Sequence, residues 1–439
     1  MKITIEKLKE AGRKAETAGD TATALKIFWR LVDASPQDIE NRLKIADLVS
    51  KTGSKDIAAE VYKAVVIYGI KSGHPLVSLV AIKILQEHGH DIEPLLQMLA
   101  QYYSSSSTKT SSKGQRLSPE HPDTEIKAPD LEAEIAPQDI ITGAARAAAN
   151  LESVTEYPST LHKIPLLSEL PHDTFIRLCT SIKAIRVDDG AAIIREGEMG
   201  RSFFFLAMGQ VRVFHADRHG HEKTLATLGE NALFGEMALI HASPRTASVM
   251  SAGDADLLEI DSAGLSAMAS NLQSVAQALD HFTRDRLLNN LMATSPLFAP
   301  FSKKQRLDLL RRFSGHEVPP ETVIIREGDE GRGLYVVLSG EVEITKDHEG
   351  GQILLATLKA GDVFGEISLI KGFPATASVK AVRRSTILFL DRVYFVRLVD
   401  ALPEIKAFFE NLSEERLHDT RAVLSDDDGI EISDEMILI

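Results

Sequence analysis

The stretch Phe234-Gly235-Glu236-Met237-Ala238-Leu239, followed by Pro244-Arg245-Thr246-Ala247-Ser248-Val249, decides the reading of this chain. A glycine that permits close backbone approach precedes residues able to open a helix. An arginine stands a short, fixed distance beyond. About 130 residues later the same spacing returns as Phe364-Gly365-Glu366-Ile367-Ser368-Leu369 and Pro374-Ala375-Thr376-Ala377-Ser378-Val379, with alanine in the arginine's place.

The duplication extends on both sides of this cassette. Ile164-Pro165-Leu166-Leu167 matches Ser295-Pro296-Leu297-Phe298, Arg195-Glu196-Gly197 matches Arg326-Glu327-Gly328, and Gly209-Gln210-Val211 matches Gly340-Glu341-Val342, all offset by 131. The cassettes are offset by 130, so one residue has been lost in the intervening hairpin. Leu334 to Leu338 and Glu341 to Ile344 read as strands around a turn at Gly340. Many short strands at even spacing predict a jelly-roll or β-roll in each half. The first half closes in a helix, where Leu272, Val275, Ala276, Leu279, Phe282, Leu287 and Leu291 keep one apolar face.

The first hundred residues read as helical and repeated. Gly19, Ala24, Phe28, Leu31 and Pro36 return 34 residues later as Gly53, Ala58, Tyr62, Val65 and Ile70. Small residues at helix crossings with an aromatic one turn on, at this period, resemble the tetratricopeptide repeat. Residues 104 to about 136 are rich in serine, proline and acidic side chains, and predict a flexible linker, with a short helix near Ile140 to Leu151. The predicted fold is multidomain α+β: helical repeats over 1–103, a linker over 104–154, β-roll domains with flanking helices over 155–292 and 293–424, and an acidic tail over 425–439.

Bulk composition narrows the function classes. The 439 residues carry a net charge of −14, which argues against nucleic acid as the main partner. The single cysteine, Cys179, excludes an internal disulfide or a cysteine zinc cluster and points to a reducing compartment. The most apolar stretch, Leu76 to Leu85, is too short to span a bilayer and contains Lys83. No secretory leader is evident at Met1-Lys2-Ile3-Thr4-Ile5-Glu6, and the expectation is a cytoplasmic protein.

The cassette's chemistry suits a cyclic phosphodiester. Amides opening a helix after Gly235 can point at an anion. Arg245 can close on phosphate oxygens through two parallel hydrogen bonds. Glu236 can accept from a ribose hydroxyl, while Ala238, Ala247 and Ser248 keep the walls small. Residues 161 to about 290, and again 291 to about 423, resemble the cyclic nucleotide-binding domain of protein kinase regulatory subunits, the catabolite activator and gated channels. The resemblance implies an eight-stranded β-roll and a nucleotide site lined by Phe234, Gly235, Glu236, Met237, Ala238, Arg245, Thr246 and Ala247. It also implies that the stretch Leu272 to Leu291 folds over the base as a lid. Thr246 follows the arginine, as a hydroxyl does in cyclic-GMP kinases, yet bacterial cyclic-AMP receptors carry one nearby; the ligand is cyclic AMP or cyclic GMP.

The second copy is a degenerate site: Gly365, Glu366 and Thr376 persist, but Ala375 offers neither charge nor donor. A phosphate there would lose its counter-ion, and Glu366 would repel it. The second roll is therefore expected not to bind a cyclic nucleotide in the family manner. It could dock a partner or hold a different ligand. His215, His219 and His221 crowd one hairpin and read as exposed loop residues rather than metal ligands; Trp29 and Cys179 read as packed residues. No nucleophile–base set, Walker loop or kinase signature is present.

The expectation is a non-enzymatic, metal-free sensor. It binds cyclic AMP or cyclic GMP in the first roll and relays this to a protein partner through the helical repeats, without nucleic acid or membrane; a homodimer is compatible with the chain. The alternative is a constitutive interaction scaffold with two ligand-free rolls.

Overall fold

The computed structural model describes residues 2–216, 222–236, 244–245, 247–262, 264, 284, 287–288, 291–292, 295–348 and 351–428. The chain divides into two compact units, Met1–Phe282 and Thr283–Ile439.

The first unit opens with β1 (Lys2–Thr4), then α1 (Ile5–Thr17), α2 (Thr21–Ala34), α3 (Ile39–Lys51), α4 (Lys55–Ser72), α5 (Pro75–Glu87) and α6 (Glu93–Tyr103). Local chemistry sets their starts. The side chains of Thr4, Asp20 and Asp38 accept from otherwise orphaned first-turn amides of α1, α2 and α3. α3 and α4 begin 34 residues after α1 and α2, and Gly19 and Gly53 close the corresponding turns at φ 78° and 85°. The repeated positions Ala24 and Ala58, Phe28 and Tyr62, Leu31 and Val65 are all buried. At Gly12 of α1, a Cβ would stand 3.0 Å from Ile27 Cγ2 and from Phe28 Cε2. The first helix pair thus packs as closely as its small residue permits.

The 104–136 stretch differs from the expected flexible linker. After β2 (Thr110–Ser111), β3 (Glu125–Lys127) pairs antiparallel with β1, and β2 pairs in parallel with β4 (Leu161–His162). Leu117 N–H donates to Ser72 O at 2.8 Å; Arg30 Nε donates to Lys127 O at 2.8 Å, and Lys26 Nζ to Ala133 O at 2.8 Å. The helix expected near Ile140 is α7 (Pro137–Ala149), which packs on α2, α3 and α4, with Gly143 against the Trp29 ring. The polar composition is accommodated because backbone groups of the stretch find partners on the helices, so ordering it does not require an apolar core of its own.

α8 (His172–Ser181) leads into the first roll: β5 (Lys183–Val187), β6 (Ala192–Ile194), β7 (Ser202–Met208), β8 (Val211–Ala216), β9 (Glu222–Leu228), β10 (Leu233–Phe234), β11 (Ser248–Ser251) and β12 (Ala255–Asp261). They form two four-stranded sheets, ordered β10-β7-β12-β5 and β6-β11-β8-β9. The run Ser202–Met208 is apolar on both faces for a reason. Phe204 and Leu206 fill the roll interior, whereas Phe203, Phe205 and Ala207 join the core of the helical region. α5 lies against β5, β7 and β12, which accounts for the unusually apolar stretch Leu76 to Leu85. Lys83 donates to Thr180 O at 2.8 Å, and burial lowers its pKa to about 8. Arg186 of β5 bridges Asp256 of β12 and Asp47 of α3, both at 2.8 Å, and Tyr62 donates to the same Asp47.

The second unit contains α9 (Lys303–Leu310), β13 (Ser314–Val318), β14 (Val323–Ile325), β15 (Gly333–Ser339), β16 (Glu341–His348), β17 (Gly351–Lys359), β18 (Val363–Phe364), α10 (Glu366–Lys371), β19 (Ser378–Ala381), β20 (Ser385–Asp391), α11 (Arg392–Ala401) and α12 (Pro403–Asp428). Its sheets, β18-β15-β20-β13 and β14-β19-β16-β17, repeat the first roll's order strand for strand. Val211 pairs with Leu228, and its counterpart Val342 pairs with Leu358, so the lost residue falls within the β8–β9 hairpin as the offsets imply. Leu334, Val336 and Leu338 of β15 pack outward on α11 and α12, through Phe395 and Phe409 among others.

Candidate functional site

In the front roll, β10 pairs with β7, setting Phe234 opposite Phe204 with their rings stacked at 5.5 Å. The chain then turns at Gly235, φ 84°, and enters helical backbone at Glu236. A side chain at Gly235 would be strained by that φ, and its Cβ would meet Arg245 Nη1 at 2.8 Å. Glycine is required here because the arginine lies against the turn.

Arg245 is fixed at both its backbone and its head. Its N–H donates to Glu198 O at 2.8 Å, and its O accepts from Gly197 N–H at 2.9 Å. The Arg195-Glu196-Gly197 turn therefore clamps the arginine, with Ser248 Oγ accepting from Glu196 N–H at 3.1 Å. The guanidinium donates through Nη1 to Gly235 O and through Nη2 to Ser202 O, the latter at 2.7 Å. It is 9% exposed and Glu236 is 1% exposed. Burial lowers the Arg245 pKa, and the Glu236 carboxylate opposes that shift. A guanidinium carries five N–H donors. Two serve the protein's own carbonyls, so the group is held in place with donors left for an anion.

The structure thus brings together Phe234, Gly235, Glu236 and Arg245, with Ala247 half-buried just before β11. Met237, Ala238 and Thr246 lie outside the described residues, as does most of the expected lid from Leu272 to Leu291. His219 and His221 also lie outside them, and His215 pairs with Glu196 at 2.8 Å. Cys179 is fully buried, its thiol pushed up to about 12 by burial, as suits a packed residue. In the sequence the Arg195-Glu196-Gly197 turn stands out only as one of the repeated segments, and Ser202 does not stand out. The signal for the clamp was available in the equal offset of both turns and both cassettes.

The rear roll keeps the frame without the cation. Gly365 has φ 84°, Tyr335 and Phe364 stack at 5.0 Å, Gly328 N–H donates to Ala375 O, and Ala375 N–H donates to Asp329 O, each at 2.8 Å. Ala375, 8% exposed, offers only a methyl group. A different arginine enters from α12: Arg416 Nη1 donates to Glu366 Oε1 at 2.8 Å and to Val363 O at 2.7 Å. Burial raises the Glu366 pKa, and the Arg416 charge works against that rise. No sequence signal in the cassette pointed to Arg416, which lies about 50 residues beyond it.

Residues 184–271 and 316–401 match the cyclic nucleotide-binding domain family. Each roll thus carries one of the two matched stretches, in tandem. Among curated proteins the chain is homologous to the cAMP-dependent protein kinase regulatory subunit of Yarrowia lipolytica, 28% identical over 58% of this chain and 63% of the relative. The counterpart in Mycosarcoma maydis is 25% identical over 55% of this chain and 47% of the relative. The chain thus spans about half to just under two thirds of these relatives' lengths. Among solved structures, the regulatory domain of Toxoplasma gondii PKA with cAMP is 23% identical, at a TM-score of 0.28, covering 57% of this chain and 92% of that one. Among the described residues, no helix is long and apolar enough to cross a membrane.

Proposed function

We propose that the chain is a non-catalytic regulatory protein whose front roll binds cyclic AMP or cyclic GMP. The supporting observation is Arg245: buried, charged, clamped by the Arg195–Glu198 turn and lying against Gly235, where a side chain would collide with it. In this reading the phosphate takes a bidentate pair from the guanidinium's remaining donors and meets the amides after Gly235. Glu236 accepts from the ribose. The relatives named above as kinase regulatory subunits favour a protein partner for the response. The helical domain shares one core with the front roll through α5, so a change in that roll is transmitted to the helices directly.

Isothermal titration of the full chain with cyclic AMP and with cyclic GMP tests this. The expected result is saturable binding near one site per chain. Arg245→Ala should weaken it by at least ~100-fold, since two charge-assisted hydrogen bonds are worth about 1.5–3 kcal/mol each. No binding of either nucleotide would favour the scaffold. Two equal sites would contradict the reading of Ala375.

A further inference from the structure

The turn that clamps residue 245 in front has a counterpart at residue 375 in the rear, and each is tied to its roll by a side-chain pair. In front, Nδ1 of His215, on β8, lies 2.8 Å from Glu196 Oε2. A carboxylate only accepts, so the ring nitrogen donates. In the rear, the residues 131 positions on are Lys346 of β16 and Glu327, and Lys346 Nζ donates to Glu327 Oε1 at 2.8 Å. The surroundings correspond as well. Phe214 pairs with Ser248 and Thr345 with Ser378, and those serines accept from the amides of Glu196 and Glu327. Both rolls thus carry, in series, a basic strand residue, a turn glutamate and a clamped backbone.

The two links differ in kind. The rear pair is 8% and 17% exposed, the front pair 45% and 40%. Lys346 also donates to the backbone O of Thr376, a residue that lines the rear roll's cavity with Glu366 and Arg416. A lysine keeps its charge at neutral pH, whereas histidine changes charge between about pH 5 and 8. The link with the changeable charge stands on the roll whose clamp bears Arg245. The charged groups around it are Lys223 of β9, opposite His215 in the ladder, and Arg195 and Glu198, which flank Glu196 and stand 3.9 Å apart. Glu222 is held by Arg212 at 2.6 Å. β11, on the other side of β8, carries no charged residue, and His219 and His221 of the hairpin lie outside the described residues.

We propose that His215 is a positioning residue for the front site: its bond to Glu196 sets the turn that holds Arg245, so the roll's affinity for a cyclic nucleotide follows the charge on His215. This rests on the reading of the front roll as a nucleotide site. An imidazolium holds a carboxylate by a charge-assisted hydrogen bond, and a neutral ring holds it by an ordinary one. Affinity is therefore greatest at the acid end of the range and declines as pH rises. The pair is half exposed, so the effect is modest, about three- to fivefold. The phosphodiester keeps its charge throughout, so the decline is not the ligand's.

Isothermal titration of the full chain with cyclic AMP and with cyclic GMP, at about pH 5.5 and about pH 8, tests this together with hydrogen exchange of the ligand-free chain. The unmodified chain should bind about three- to fivefold more weakly at the higher pH. His215→Ala should show the weaker affinity at both. His215→Lys, which copies the rear roll, should keep the tighter affinity at both. Glu196→Gln should abolish the slope although His215 is intact. In the ligand-free chain, the amides of Gly197 and Arg245 should exchange about threefold faster in His215→Ala and stay protected in His215→Lys. A slope that survives Glu196→Gln would show the imidazole acting on the phosphate directly and would overturn the proposal. So would a slope that survives His215→Lys, or a loss in His215→Ala confined to one nucleotide, which would mark a contact with the base. If neither nucleotide binds at either pH, the front-roll reading fails and exchange alone decides. Unchanged protection in His215→Ala then overturns the role of His215, and faster exchange restored by His215→Lys upholds it.

Discussion

The two rolls share strand order, turn glycines, stacked aromatic pairs and the backbone clamp on the residue at 245 or 375. They differ in what stands on that clamp. In front, Arg245 reaches the carbonyls of Gly235 and Ser202. In the rear, Ala375 reaches nothing, and the buried carboxylate that both rolls carry takes its cation from α12. The frame is therefore a property of the fold, and the ligand is a property of one side chain placed on it. Preserved glycines in a degenerate copy report on backbone conformation, not on binding.

The largest effect expected from breaking this comparison in stability terms is at Arg416. Arg416→Ala leaves Glu366 buried without its cation; removing one partner of a buried pair costs about 3–5 kcal/mol, and the arginine's partial exposure places this case near the low end. Denaturant unfolding of the full chain should show the loss in the second unit. Burial already raises the Glu366 pKa, so the folded state holds that proton more tightly than the unfolded chain does, and its stability falls as pH rises. The penalty of Arg416→Ala should therefore be greatest at neutral pH and shrink on acidification. An equal penalty at all pH values would show that the arginine acts by packing alone.

A second expected difference separates the units by their acid response. His74, between α4 and α5 in the unit that holds the front roll, is buried, and burial lowers its pKa from 6.5 to about 4. Here the unfolded chain binds the proton more readily. The contribution is complete above pH 6.5 and is lost as pH falls toward 4, up to about 3 kcal/mol. Thermal unfolding of the first unit should fall across that window, and His74→Gln should flatten the dependence. An unchanged slope in the variant would assign the acid sensitivity elsewhere.

The smallest effect discriminates most finely. Gly235→Ala and Gly365→Ala both force a side chain to positive φ, at about 1–2 kcal/mol each. In front, the new Cβ also meets Arg245 Nη1 at 2.8 Å; in the rear it meets Gly333 O and Tyr335 Cδ2 at 3.0 Å. Differential scanning calorimetry should show similar losses, whereas only Gly235→Ala should lower cyclic nucleotide affinity in titration. Equal effects on affinity would detach Arg245 from the ligand.

The sequence made legible whatever was repeated or local. The offsets of 131 and 130 located both rolls, their order and the lost hairpin residue, because a duplicated fold conserves spacing. The 34-residue period placed α1 to α4. What stayed hidden depends on contacts between distant segments. The serine- and proline-rich stretch after Tyr103 carries a disordered composition, and its partners, Ser72 O, Arg30 and Lys26, belong to helices far upstream. Arg416 is one of many charged residues on a long helix, and only the chain's return over the rear cavity singles it out. Phe203 and Phe205 read as a buried strand, but the layer covering them could not be named without α5.

That layer has a practical consequence for dissecting the chain. A cut anywhere between Tyr103 and Leu161 would strip α5 from the sheet and bare Phe203, Phe205 and Ile260 to water, while leaving Lys83, Asp47 and Arg186 without their mates. Such a fragment would be sticky, and its failure to take up nucleotide would say nothing about the intact site. The smallest trustworthy front half is the one that still begins with its helices.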